Sequence, residues 1–260
     1  MRNYGLIHSV REKEHYVLGG GSVPFESLQI DGDWMTFLPK KEFQDLNGIE
    51  PFACVSFTIL NCIEILIKRK YGLKRNYSDR FLATVSGTKD KMGNDPHLVC
   101  EFLRKLGVPP EEILPFNSEI NTFDKFYSPI APKVFEIAKD FLAEFDFLHE
   151  WIENKPEEIT KALQSSPLLI SVPAWFRDSD GLYNRPIGFI DNHATTLVYE
   201  SFGAYRRVFD SYDSPVIKDV RWDVVPMMVK RFYVKKKDTF VKTNFWQRLL
   251  VWFTNLFKHD

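Results

Sequence analysis

The sequence predicts an α+β fold, a helical front half followed by a β-rich back half, which suits two lobes with a cleft between them. Three observations carry this reading. A long segment opening at Cys54 is apolar on nearly every face. Helical spacing of hydrophobic residues then recurs up to about position 165. Beyond Leu168 the texture changes to short β-branched and aromatic runs separated by turn residues.

In chain order, residues 1–33 read as an irregular arm, because Gly19-Gly20-Gly21 and Asp31-Gly32-Asp33 break any periodicity. The segment from Cys54 to about Tyr71 carries Val55, Phe57, Ile59, Leu60, Ile63, Leu66 and Ile67, the pattern of a helix buried inside a lobe. Lys68, Arg69 and Lys70 in its last turn complement the C-terminal dipole, and Gly72 supplies a left-handed cap. A second helix is expected from Pro96 to Leu106, closed by Gly107. Residues 129–165 read as helical throughout, with Phe135, Ala138, Phe141, Leu142 and Phe145 at helical spacing. Strands are expected at 168–172, 195–199, 206–209 and 228–234, with a turn near Gly203. Lys235-Lys236-Lys237-Asp238 reads as a polar link. From Phe245 to Phe257 the apolar residues fall on one helical face, giving a terminal amphipathic helix too short to span a bilayer.

Composition excludes several classes. Lys plus Arg number 34 against 35 Asp plus Glu, so no basic face argues for nucleic acid. Cys54, Cys62 and Cys100 cannot all pair within one chain, which points to a reducing, cytoplasmic setting. The first residues lack the apolar stretch of a secretory signal, and no paired cysteine spacing supports a zinc site. Neither a metal nor any other cofactor is expected.

The chemistry rests on a thiol and an imidazole. A thiol is a useful nucleophile only as thiolate, and a helix N-terminus beside an imidazole favours that form. Cys54 opens the buried helix just after Gly48-Ile49-Glu50-Pro51. Most cysteines are small buried hydrophobes, which remains the reading for Cys62 and Cys100 at mid-helix positions. His193 lies at the entry to one expected strand and Asp210 ends the next, with the turn between them. Direct opposition across the hairpin, or a register shifted by two, leaves the pair within side-chain reach on one face; a shift of one separates them. A carboxylate so placed would orient the imidazole and stabilise its charged form.

At these positions the chain resembles the papain family of cysteine peptidases. Cys54-Val55-Ser56-Phe57 is similar to the family's Cys-Trp-Ala-Phe, Asn192-His193-Ala194 to its Asp-His-Ala, and Asp210-Ser211-Tyr212 to its Asn-Ser-Trp. Gly93-Asn94-Asp95-Pro96 and Leu114-Pro115-Phe116 resemble its substrate-lobe stretch, and the similarity covers roughly Asp33 to Val234. The resemblance implies a two-lobe peptidase domain over 34–236. A helical N-terminal lobe would hold the buried central helix, and a β-rich C-terminal lobe would face it. An arm over 1–33 would precede this domain, and a linker with the terminal helix would occupy 237–260. It implies Cys54 as nucleophile, His193 as base and Asp210 as the third member, with Cys54 sulfur about 3–4 Å from the ring. Gln44 would match the oxyanion-hole glutamine, with Asn47 as a rival donor.

The chain departs from the family in several places. Ala53 and Val55 stand where glycines normally flank the nucleophile, Gln44 is four residues further upstream than usual, and Asp210 replaces asparagine. Tyr212 stands where a tryptophan normally shields the triad, and no inhibitory propeptide of family length precedes Asp33. The mechanism implied is attack by Cys54 on a peptide carbonyl, a thioester acyl-enzyme, and hydrolysis by water. Two alternatives stand beside it: an inactive relative that only binds a peptide or protein, and an amidase or acyl-transfer enzyme on the same scaffold. Helix 245–257 either folds back, pairs with a second copy, or docks on a membrane surface or partner groove.

Overall fold

The computed structural model describes residues 5–10, 23–88, 90–212 and 214–238. Its first long element is helix α1 (Cys54–Tyr71), buried without a break from Cys54 to Ile67. Gly72 ends it in a left-handed cap, φ 66°, with its N–H on Lys68 O at 3.0 Å. Helix α2 (Asp79–Val85) starts on a capping Ser78, whose side chain accepts from Phe81 N. Helix α3 (Pro96–Leu106) begins with proline in its first turn, and Asp95 accepts from His97 N and Leu98 N. A short α4 (Phe123–Phe126) precedes α5 (Pro132–Glu144).

The expected helix over 129–165 is two helices split by a strand. After α5 the chain extends as β1 (Phe145–Ile152), and α6 (Pro156–Leu163) follows. Phe141 and Phe145 fit a helical spacing, but from Phe145 onward Phe147 and Trp151 also turn inward on a period of two. The last strand among the described residues supplies what periodicity omits, an antiparallel partner along all eight residues, Phe145 opposite Lys236 through Ile152 opposite Val229. A long-range ladder overrides local spacing here.

The remaining strands are β2 (Leu168–Val172), β3 (Phe176–Arg177), β4 (Tyr183–Asn184), β5 (His193–Ser201), β6 (Tyr205–Phe209), β7 (Ile217–Arg221) and β8 (Val229–Lys236). They form one sheet in the order β1-β8-β2-β5-β6-β7-β4-β3. All its pairings are antiparallel except β4 with β7. The expected polar link is shorter than it read, because Lys235 and Lys236 belong to β8. The fold is therefore α+β, with helices leading and sheet following. Helix α1 lies against β5, and Thr196 Oγ1 donates to Thr58 O at 3.4 Å between them. One apolar core joins α1 to both β2 and β5. That packing sets the head of α1 against the start of β5.

The described parts of the N-terminal arm are docked on this body. Leu28 N and Gln29 N both donate to Gln164 O, and Arg231 donates to the carbonyls of Val23 and Pro24. The terminal helix expected at 245–257 lies outside the described residues. No helix among the described residues is long and apolar enough to cross a membrane.

Candidate active site

Cys54 is the first residue of α1, so its sulfur sits at the positive end of an eighteen-residue helix. The preceding loop reaches it through backbone that few side chains tolerate: Asn47 at φ 61° and Phe52 at φ 57°. A 3₁₀ turn over Leu46–Gly48 takes up the extra residues between Gln44 and Cys54. His193 is the first residue of β5 and lies opposite Val172 of β2. Asp210 directly follows β6, and its N–H donates to Val216 O at 2.7 Å.

The hairpin register decides whether these two meet. Thr196 faces Phe209 and Leu197 faces Val208, so Asp210 is a diagonal neighbour of His193 rather than its direct opposite. This is the two-residue shift that keeps both side chains on one face. His193 Nε2 lies 2.7 Å from Asp210 Oδ1. The Cys54 side chain, at the head of α1, lies close enough to the same ring to raise its basicity. Cys54 and His193 are 0% exposed and Asp210 is 1% exposed, so the three groups meet in a desolvated setting.

Burial alone would lower the basicity of His193. The Asp210 charge and the hydrogen bonds to Asp210 and Cys54 outweigh it and push the imidazole up to about 10. Burial likewise acts to raise Asp210, but His193 and Lys218 more than offset it and hold the carboxyl below its usual range. The folded chain therefore retains a proton on His193 that the unfolded chain loses above about pH 6.5. That contribution to stability is complete below pH 6.5 and is lost as pH rises through about 10. Urea melts across this window are expected to show stability falling with pH, and His193→Gln is expected to flatten the slope. An equal slope in the variant would contradict the raised imidazole.

Three residues of this cluster carry no signature that sequence reading used. Lys218 Nζ donates to Asp210 Oδ2 at 2.8 Å and to Tyr212 O at 2.7 Å. Trp175 Nε1 donates to the same carboxylate oxygen at 3.1 Å. Glu50 accepts a short hydrogen bond from the Tyr212 hydroxyl and a second from Phe52 N at 3.2 Å. The resemblance places Tyr212 where the family's shielding tryptophan stands, and the structure adds Trp175 beside it: the Trp175 and Tyr212 rings approach His193 edgewise at 5.6 and 5.9 Å. Lys218 had a signal: it alternates with Val220 on the inward face of β7, and a lysine there requires a partner.

Gln44 is fully buried, and its backbone N–H donates to Ser211 O at 2.9 Å, beside Asp210. Neither Nε2 nor Oε1 of its side chain has a hydrogen-bond partner among the described residues. The rival donor Asn47 is exposed, and its amide already donates to Asn117 O and Ile120 O at 2.8 and 3.0 Å. Cys62 and Cys100 are free and buried within α1 and α3, and burial raises both thiols.

Residues 5–9 of the arm bridge two loops that flank this cluster. Ile7 N donates to Asn94 O and Asn94 N to Gly5 O, a parallel bridge centred on Leu6. His8 Nε2 is 2.8 Å from Asp191 O, and Ser9 Oγ donates to Asp95 at 2.6 Å. One side of the strap thus holds the loop into α3, and the other holds the loop into β5, two residues before His193. A cavity of about 570 Å³ opens at the far end of α1, lined by Glu64, Lys68, Arg75 and Tyr77, and includes none of the three clustered groups. The cluster's chemistry, rather than that cavity's size, marks the candidate site.

No family model and no curated protein sequence matches the chain. Solved structures do. The bromelain protease of Ananas comosus, in complex with the E64 inhibitor, superposes with a TM-score of 0.57 at 17% identity, covering 76% of this chain and 96% of bromelain. Xylellain, a cysteine protease from Xylella fastidiosa, gives 0.58 at 15% identity, covering 91% and 96%. The cysteine protease and lectin-like domains of Cwp84, a surface layer associated protein of Clostridium difficile, give 0.66 at 16% identity, covering 92% of this chain and 57% of that one. The fold is papain-like. The papain-like fold accounts for the two-part order of elements and for a long interior helix whose first residue meets the start of a strand.

Proposed function

We propose that this chain is a cysteine peptidase with Cys54 as nucleophile, His193 as acid and base, and Asp210 as the group that orients the imidazole. The observation that carries the reading is the shared ring: Asp210 on Nε2 at 2.7 Å and the Cys54 side chain acting on the same imidazole from the head of a buried helix. Peptide bonds are the substrate class of the reading.

In the first half of the reaction Cys54 Sγ attacks the peptide carbonyl carbon and a C–S bond forms. The carbonyl oxygen takes the negative charge, with the Cys54 N–H and the Gln44 amide as donors to it. His193 then gives its proton to the departing nitrogen, the C–N bond breaks, and a thioester remains. In the second half His193 takes a proton from water, whose oxygen attacks the thioester carbon. The C–S bond breaks and the acid product leaves. Asp210 stays ionised throughout.

A second reading, a binding protein without turnover, is favoured by one observation: Cys54 is wholly covered. On the enzymatic reading the 5–9 strap must leave before a peptide enters. Treatment with a thiol-directed inhibitor such as E64, followed by peptide mass mapping, separates the two. One inhibitor per chain at Cys54, lost in His193→Ala, is the expected result. Labelling of Cys54 no faster than that of Cys62, both in the wild type and in a chain lacking residues 1–10, would rule the peptidase out. An amidase or acyl-transfer reaction would share the labelling but fail to release peptide fragments.

A further inference from the structure

A carboxylate in this position raises a problem that an amide would not. The mechanism needs Cys54 as thiolate and His193 as imidazolium, a pair with no net charge. Asp210 adds an uncompensated negative charge in a pocket with no exposed surface on any of the three side chains. A buried charge without a counter-charge either costs several kcal/mol or is neutralised by a proton. A protonated Asp210 would hold the imidazolium poorly, and an unbalanced one would work against the thiolate.

Lys218 answers this from β7. Its ammonium is buried and directs two donors at Asp210 Oδ2 and Tyr212 O. Its Nζ lies 5.0 Å from the Trp175 ring centroid, and Trp175 Nε1 donates to that same carboxylate oxygen. The two carboxylate oxygens are thereby divided: Oδ1 faces His193, while Oδ2 is held by Lys218 and Trp175. Among the described residues, the charged groups that face Asp210 are His193 from β5 and Lys218 from β7, while Cys54 acts through the ring from α1 and Glu50 through Tyr212. Thiolate, imidazolium, carboxylate and ammonium together carry no net charge, and the Glu50 carboxylate is set apart from them by the Tyr212 hydroxyl that it accepts from.

We infer that Lys218 is a positioning residue of the proposed peptidase, the counter-charge that lets an aspartate occupy the place of the resembled family's asparagine. Its role rests on the peptidase reading above and is tested apart from it. Lys218→Met is expected to lower kcat at least thirtyfold with KM nearly unchanged. It is also expected to move the acid limb of the kcat/KM profile to higher pH, because Asp210 then takes up a proton more readily. Adding Asp210→Asn to Lys218→Met is expected to recover at least tenfold of that loss, since a neutral amide needs no counter-charge. A residue that merely fills space would show no such recovery. Lys218→Arg, which keeps the charge, is expected to retain the wild-type pH profile even if the methionine variant folds poorly.

Wild-type activity with an unshifted acid limb in Lys218→Met, or a double variant no better than the single one, would overturn the role of Lys218. Absence of Cys54 labelling in the wild type and in a variant lacking the strap would instead remove the peptidase reading. The two failures are therefore distinct.

Discussion

Gln44→Ala is expected to lower kcat by about 10²–10³-fold while leaving KM within about threefold, the effect of removing one preorganised oxyanion donor. Gln44 is not an ordinary surface glutamine. Its side chain is fully buried, and leaving a buried amide unpaired costs about 1–3 kcal/mol. A chain gains nothing in stability by carrying that cost, so alanine here should leave the protein equally stable or more so. The hydrogen bond from its backbone to Ser211 O does not depend on the side chain and should hold the loop in the variant. Activity and stability are thus expected to move in opposite directions. Steady-state kinetics on a fluorogenic peptide, with a thermal melt of the same preparation, read both. Gln44→Glu removes the donor while keeping the shape and is expected to be as poor as alanine. A kcat within threefold of wild type in Gln44→Ala would exclude this residue from the oxyanion site. Asn47→Ala is expected to have little effect on kcat, since its amide is spent on Asn117 and Ile120.

Much of the fold and the cluster is legible in the amino-acid sequence alone. Helix α1 keeps the bounds its pattern gives, Cys54 to Tyr71, because an unbroken apolar stretch, basic last turn and glycine stop all agree. Helix α3 likewise runs from Pro96 to Leu106. The strand at Phe145–Ile152 is hidden because its partner lies more than seventy residues away in β8, and no local window contains both. Trp175 and Lys218 stand closer in sequence to Asp210, 35 and 8 residues away, yet no motif pairs either with it. Each reaches Asp210 only once β2, β6 and β7 are aligned, so spacing ties neither to that carboxylate. The His193–Asp210 contact is legible because a hairpin's register has few options and the turn at Gly203 limits it. Gln44 is placed only by resemblance, as its route to the cluster depends on the left-handed Asn47 and Phe52.

Gly5→Val is expected to raise the rate of Cys54 modification at least tenfold by expelling the strap from the loops that flank the site. Gly5 adopts φ +100°, and a Cβ added there would lie 2.3 Å from Phe52 O and 2.5 Å from Phe52 C. Phe52 cannot yield easily, since its N–H is held by Glu50 and the next residue, Ala53, is buried. On the other wall a Cβ on Gly93 would come within 1.8 Å of Gly5 O, so the strap runs through a slot sized for bare backbone. The strap is held by hydrogen bonds to Asn94, Asp95 and Asp191 and by the burial of Leu6. A clash between fixed backbone and a valine side chain opposes that docking, and a closing free energy of about 1.4 kcal/mol is enough to slow access tenfold. Inhibitor labelling followed over time in the wild type, Gly5→Val and a chain lacking residues 1–10 measures this directly. Both altered chains should label faster at Cys54 and stay unreactive at Cys62 and Cys100, whose burial in α1 and α3 owes nothing to the strap. Equal rates in all three would mean that something other than this segment shuts the site.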